Sequence, residues 1–200
     1  MTRKIFIDCG THLGQGIDAI SKIKKFDQTW EIFTWEANPY TYKKYKTKVW
    51  PSYIRITSFN QAVGLHNGKI SLTVNRTKNR QTGQAESIGQ GTTTLSLDKF
   101  KAGVHNGTMD EIIDVECINL VEWLGQNCNS NDMVVMKLDI EGAEYDLLEG
   151  ILESPVVHYI KEIFVEWHDY ALANPESYKQ REIQIKEKGK ALGINFIDWK

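Results

Sequence analysis

Ile5-Phe6-Ile7-Asp8-Cys9-Gly10-Thr11-His12-Leu13-Gly14-Gln15-Gly16 is the stretch whose reading decides the fold. A short apolar run ends in an acid and a glycine-spaced turn follows. Ile17, Ile20, Ile23 and Phe26 then recur at helical spacing. That is a strand, a tight loop and a helix. Gly10, Gly14 and Gly16 let the backbone turn sharply and approach a ligand closely. The loop delivers the ligand to a helix N-terminus, where free N–H groups point outward. Asp8 is the unusual piece, because an acid there repels a pyrophosphate and suits a cationic group such as an ammonium. Turns of this spacing also close ordinary βα units, so the loop alone does not identify a ligand.

Working outward, Ile32-Phe33-Thr34-Trp35 reads as a second buried strand ending at Glu36, with Pro39 placed to open a helix through Lys48. An acid at this strand tip can accept hydrogen bonds from both hydroxyls of a ribose, or it can cap the next helix. Ile54-Arg55-Ile56 is a third strand, continued by Asn60 to Gly64. Lys69 to Val74 and Ile113 to Ile118 alternate polar with apolar and pair antiparallel. Between them, residues 75–111 are rich in Gly, Thr, Asn and Gln and show no sustained period. They read as an insertion that forms a lid or an acceptor-side wall, or that is disordered. Asn119 caps a short helix. Met133-Val134-Val135-Met136-Lys137-Leu138 is a nearly continuous apolar strand, as expected where helices cover both faces. A helix carrying Tyr145, Leu148 and Leu152 follows and stops at Ser154-Pro155. Lys161 to Val165 is a further strand, ending at Glu166-Trp167-His168. A last helix runs from Pro175 to about Leu192, and Ile194 to Ile197 is a final strand. The alternation predicts one α/β domain over residues 1–200, with an open, mostly parallel sheet.

In such sheets ligands bind at the carboxyl ends of the strands. Asp8, Glu36, Asp139, Glu141, Glu166 and His168 all fall there. Polar residues also gather wherever strands meet solvent, so each has a plain structural reading beside the functional one. Glu141 and Glu144 can cap the helix behind them. Lys137, inside a strand, needs a carboxylate partner. His168 is either a base or a structural histidine bonded to Glu166.

The 200 residues carry a net charge of −2, which gives no basic field for nucleic acid. Lys43, Lys44, Lys46 and Lys48 read as a solvated helix face. Cys9, Cys117 and Cys128 are too few and too scattered for a disulfide framework. Two glycosylation sequons, at Asn75 and Asn106, carry no weight without a leader. No apolar run spans a bilayer. The expectation is a soluble, cytoplasmic protein of a reducing compartment, with no membrane partner.

Asp8-Cys9-Gly10-Thr11-His12-Leu13-Gly14, Trp35-Glu36-Ala37-Asn38-Pro39 and, above all, Met136-Lys137-Leu138-Asp139-Ile140-Glu141-Gly142-Ala143-Glu144 resemble the FkbM family of methyltransferases, from about residue 4 to 168. The resemblance implies a Rossmann-like class I methyltransferase fold with helices on both faces, and S-adenosylmethionine as cofactor. The family usually has Asn at the place of His12. The C-terminal part is short for the antiparallel strand pair that completes this fold, so the sheet is expected to lack one strand. Under this reading Asp8, Gly10, His12 and Gly14 surround the amino-acid portion of the cofactor. Glu36 and Asn38 lie at the ribose, Gln61 and Ala62 at the adenine, and Asp139 beside the methyl group. His168, with its unperturbed pKa nearest neutrality, is the first candidate base, and Asp139 the second.

The implied reaction is methyl transfer to a hydroxyl of a sugar or related small metabolite, a substrate class that comes from the resemblance alone. A methyltransferase acting on nitrogen or on a protein is an alternative, as is a non-catalytic nucleotide-binding interaction module. A divalent metal held by the acids is the lesser reading, since acids at separate strand tips often point apart; no metal ligand is assigned.

Overall fold

The computed structural model describes residues 2–75, 77–78, 85–86, 92–101 and 110–199. Its main sheet has six strands, all parallel: β1 (Lys4–Cys9), β2 (Trp30–Trp35), β3 (Arg55–Phe59), β9 (Met133–Leu138), β10 (Ile160–Val165) and β11 (Asn195–Asp198). Their order is β11-β10-β9-β1-β2-β3, and each pairing is parallel. The strand order reverses between β1 and β9. The last strand pairs directly with β10, and no antiparallel strand joins this sheet among the described residues.

Asn60 to Gly64 does not continue β3. After Phe59 the chain leaves the main sheet, and β4 (Ala62–Gly64) joins a second sheet in the order β4-β8-β5, with β5 (Gly68–Asn75) and β8 (Asp110–Asn119). β5 and β8 are antiparallel, with Ile70 opposite Val115, as their alternation predicts. Two short strands, β6 (Thr77–Lys78) and β7 (Ala85–Glu86), pair with each other.

Strand alternation divides the core in two. On one face Phe6, Val135 and Phe164 pack against Ile17 and Ile20 of α1 (Gln15–Lys24) and Tyr45 of α2 (Pro39–Tyr45). On the other, Ile5, Ile7, Met136 and Val165 pack against α3 (Leu120–Asn127), α4 (Glu144–Glu153) and α5 (Pro175–Ala191). Both faces are covered, which is why the central strands β1 and β9 are nearly continuous apolar runs. Caps fix the helix starts. Asn38 accepts hydrogen bonds from Tyr40 and Thr41 with Pro39 at the first helical position, and Asn119 does the same for α3. Among the described residues no helix is long and apolar enough to cross a membrane.

Residues 92–101 of the 75–111 stretch are tied to β5 and to the segment at Ala171. Thr93 exchanges both backbone hydrogen bonds with Thr73, at 2.9 and 3.1 Å, and Lys101 N–H donates to Ala171 at 2.9 Å. Phe100 is buried. The rest of that stretch, and with it the flap expected there, falls largely outside the described residues.

Candidate functional site

At the carboxyl edge, where the strand order reverses, lies a cavity of about 470 Å³, within the range of small-molecule sites. Of the residues singled out from the sequence, Gly10, His12, Glu36, Gln61, Ala62, Asp139 and His168 line it. Asp8, Gly14 and Asn38 are not on its wall. Asn38 is buried as the cap of α2, and its side-chain amide also reaches Thr92 at 3.2 Å.

The loop after β1 is shaped by its neighbour. Gly10 has φ +78, and a Cβ there would stand 1.7 Å from the Asp139 carbonyl oxygen. Two strand-end loops thus cross at backbone contact, possible only for glycine. Gly14, at φ +88, opens α1 beneath the Trp50 ring. His12 holds φ 49, a left-handed conformation in which histidine and asparagine are both enriched among non-glycine residues. The histidine therefore keeps the turn that an asparagine would make. Its backbone N–H donates to Glu36 Oε2 at 2.8 Å, and Asn38 N–H donates to Glu36 Oε1 at 2.8 Å. Both carboxylate oxygens are aimed by backbone, with lone pairs left for a ligand. Burial pushes the Glu36 pKa up to about 7, against the two backbone hydrogen bonds that favour its charge.

Asp8 and Lys137 are register partners on adjacent parallel strands and share a face of the sheet. Lys137 Nζ lies 3.3 Å from Asp8 Oδ1 and 3.2 Å from Asp139 Oδ2, and donates to the Gly10 carbonyl at 3.0 Å. The cation that Asp8 was expected to attract from a ligand is, in the first instance, this lysine. Burial drives Asp8 towards its neutral form while Lys137 opposes it. Burial likewise works against the lysine's charge, but Asp8 and Asp139 outweigh it and raise its pKa. We take the pair as ionised. Gly16 makes room for it, since a Cβ there would meet Lys137 Cδ at 2.5 Å. Lys137 and Asp139 both face the cavity.

His168 is 2 % exposed. Its partner is Glu144 rather than Glu166: Nδ1 lies 3.0 Å from Glu144 Oε1, while Glu166 Oε1 is 3.9 Å from Nε2. Glu144 is wholly buried and accepts from the backbone N–H of Ile140 at 2.7 Å and of Gly142 at 2.9 Å. It therefore orders the loop carrying Asp139 and Glu141 as well as the ring of His168. Burial works against charge on His168, but Glu144, then Glu141 and Asp139, overcome it and raise its pKa to about 10. The carboxylates around the ring favour its protonated form.

Sequence reasoning gave Glu144 only a capping role and did not single out Gln15, Thr92, Thr94, Tyr170 or Trp199, all on the cavity wall. Glu144 had a visible signal, an acid at the first position of a helix beside other strand-end acids. Trp199, whose ring lies 5.9 Å from Lys137 Nζ, had none.

No curated protein matches the chain. Among solved structures it is similar to methyltransferase FkbM from Methylobacillus flagellatus KT, at 13 % identity and a TM-score of 0.48. The similarity covers 97 % of this chain and 38 % of that one, so the chain spans well under half of that protein's length. The family model for the methyltransferase FkbM domain matches residues 8–190. With nearly the whole chain matched, including every strand-end residue discussed above, the protein belongs to the FkbM methyltransferase family.

Proposed function

We propose that the chain is an S-adenosylmethionine-dependent methyltransferase that methylates a hydroxyl of a sugar or related small metabolite. One observation carries the cofactor reading. Glu36, at the tip of β2, has both oxygens fixed by backbone N–H groups and faces the cavity at the point where the strand order reverses. Such a carboxylate suits a ribose diol. The rest of the cavity fits the same molecule. Gln61 and Ala62 border the side beyond Glu36, where an adenine would lie. Lys137 and Asp139 present a cation and an anion at the other end, where a zwitterionic amino-acid group would lie. Asp8 supports that end from behind by holding Lys137.

The cofactor supplies an activated methyl group, so the protein's part is alignment and removal of the acceptor's proton. Asp139 is the group we assign to that proton. Its Oδ2 is held by Lys137, and its Oδ1 faces His168 Nε2 at 3.9 Å. His168 positions the carboxylates around the acceptor and is itself positioned by Glu144. Thr92 and Thr94 close the wall with hydroxyl groups. The hydroxyl-acceptor class follows from the family resemblance. Methylation of an amine or of a protein side chain is the competing outcome.

The test is transfer itself. Purified protein is incubated with S-adenosylmethionine and separate panels of sugar, amine and peptide acceptors, and release of S-adenosylhomocysteine is followed. Turnover with hydroxyl acceptors, lost in Asp139→Asn, supports the proposal; turnover only with amines or peptides moves the reading to the alternative.

A further inference from the structure

We propose that Asp139, Glu141 and His168, with Glu166 beside them, form a binding site for one divalent first-row transition-metal ion at the acceptor end of the cavity. The inference rests on the reading of that cavity as a donor and acceptor site, but its test does not.

One ligand atom from each of Asp139, Glu141 and His168 lies within 4.8 Å of the others. Measured from His168 Nε2, Glu141 Oε2 is at 3.4 Å, Asp139 Oδ1 at 3.9 Å and Glu166 Oε1 at 3.9 Å. An ion with bonds of about 2.0–2.2 Å sets neighbouring donor atoms about 3–3.5 Å apart. The three distances from Nε2 match that spacing or exceed it by a few tenths of an ångström.

The histidine is the independent observation. Its side chain is 3 % exposed, and Nε2 makes no hydrogen bond among the described residues; it points at carboxylate oxygens too distant to accept one well. Nδ1 is committed on the other side to Glu144, which is wholly buried and held by two backbone N–H groups. A carboxylate that holds one ring nitrogen and aims the other is the arrangement that orients metal-ligating histidines. Lys137 is shared between Asp8, Asp139 Oδ2 and the Gly10 carbonyl, and Asp139 Oδ1 lies on the histidine side. An imidazole with carboxylates favours manganese, iron, cobalt or zinc over magnesium or calcium, which prefer all-oxygen shells. An ion there would lower the pKa of an acceptor hydroxyl bound to it.

The test uses the full chain, treated with chelator and dialysed. Mn²⁺ is titrated by calorimetry and Co²⁺ by its visible absorption, with no cofactor present. The expectation is one site per chain with Kd in the micromolar range, about 1–10 µM. Glu141→Gln and His168→Asn should each weaken binding at least about tenfold, while Glu153→Gln, on an exposed face, should leave it unchanged. Circular dichroism checks that each variant is folded. No saturable binding below about 1 mM, or equal binding by wild type and by folded Glu141→Gln, overturns the site. Binding of S-adenosylhomocysteine to the same samples is scored separately. Its absence in the wild type counts against the cofactor reading, whatever the metal result.

Discussion

Asp8 Oδ1 and Lys137 Nζ stand 3.3 Å apart on adjacent parallel strands, with side chains 0 % and 2 % exposed. An ion pair this deep is weak evidence of net stability, yet breaking it from one side leaves a buried charge without a partner. Lys137→Met should therefore destabilise the fold by about 3–5 kcal/mol. Asp8→Asn with Lys137→Met should cost clearly less than the two single changes added together. Urea denaturation of the three variants measures the coupling. Additive effects would mean that the pair is not a unit.

The crossing of the two strand-end loops gives a second expectation. Gly10→Ala introduces a methyl group 1.7 Å from a backbone oxygen at a positive φ, so loop and strand must separate. Gly68→Ala has a φ of +128 but open space around the new carbon. We expect Gly68→Ala to cost about 1–3 kcal/mol, the scale of backbone strain alone. Gly10→Ala should cost markedly more or fail to fold. Thermal unfolding of both decides it; equal losses would show that the contact with Asp139 is unimportant.

Glu36 makes stability depend on pH. Its folded pKa is about 7 against an ordinary 4.5, so the folded state binds this proton more tightly. The group's contribution is complete below pH 4.5 and is lost as pH rises through 7, a change on the order of 3 kcal/mol. Denaturation at pH 5 and pH 8, compared between wild type and Glu36→Gln, isolates it. A ligand whose hydroxyls donate to the carboxylate should expel the proton. Calorimetry near pH 6 in buffers of different ionisation enthalpy should then show proton release on binding, absent in Glu36→Gln. Release that persists in the variant assigns the titration elsewhere.

Much of this arrangement was legible in the sequence, for identifiable reasons. The strands of the main sheet are short apolar runs that end in polar residues, so both their existence and their tips could be read. Glu36 was placed correctly because an acid before Ala37-Asn38-Pro39 sits where a strand must stop. The departure of Asn60 to Gly64 into a second sheet was not legible, since three residues carry no periodicity and their pairing with β8 is long-range. The sequence reads Asp8 as an acid suited to a cationic group of a ligand. Which face of β1 it occupies and what stands opposite on β9 depend on register, which β1 alone does not reveal. That Glu141, Glu144 and Glu166 gather around the His168 ring is not legible, because their spacing in sequence does not show it.

Glu144 is expected to matter more than a helix-capping acid. Glu144→Gln keeps the shape but replaces one acceptor oxygen with a donor, and so cannot serve both Ile140 N–H and Gly142 N–H while holding His168. Charge-assisted hydrogen bonds of this kind are worth about 1.5–3 kcal/mol each, so a loss of about 3 kcal/mol is expected. Hydrogen exchange of residues 139–143 should rise together with it. A variant as stable as wild type, with unchanged exchange there, would remove Glu144 from the scaffold of the site.

The central claim is that the cavity holds S-adenosylmethionine with its ribose on Glu36. Calorimetry with S-adenosylhomocysteine, on wild type and on Glu36→Ala, tests it most directly. The account predicts one site in the micromolar range for wild type and a loss of about 1.5–3 kcal/mol for the variant, as for hydrogen bonds to a charged group. No binding to wild type, or equal affinity in the two proteins, would contradict it.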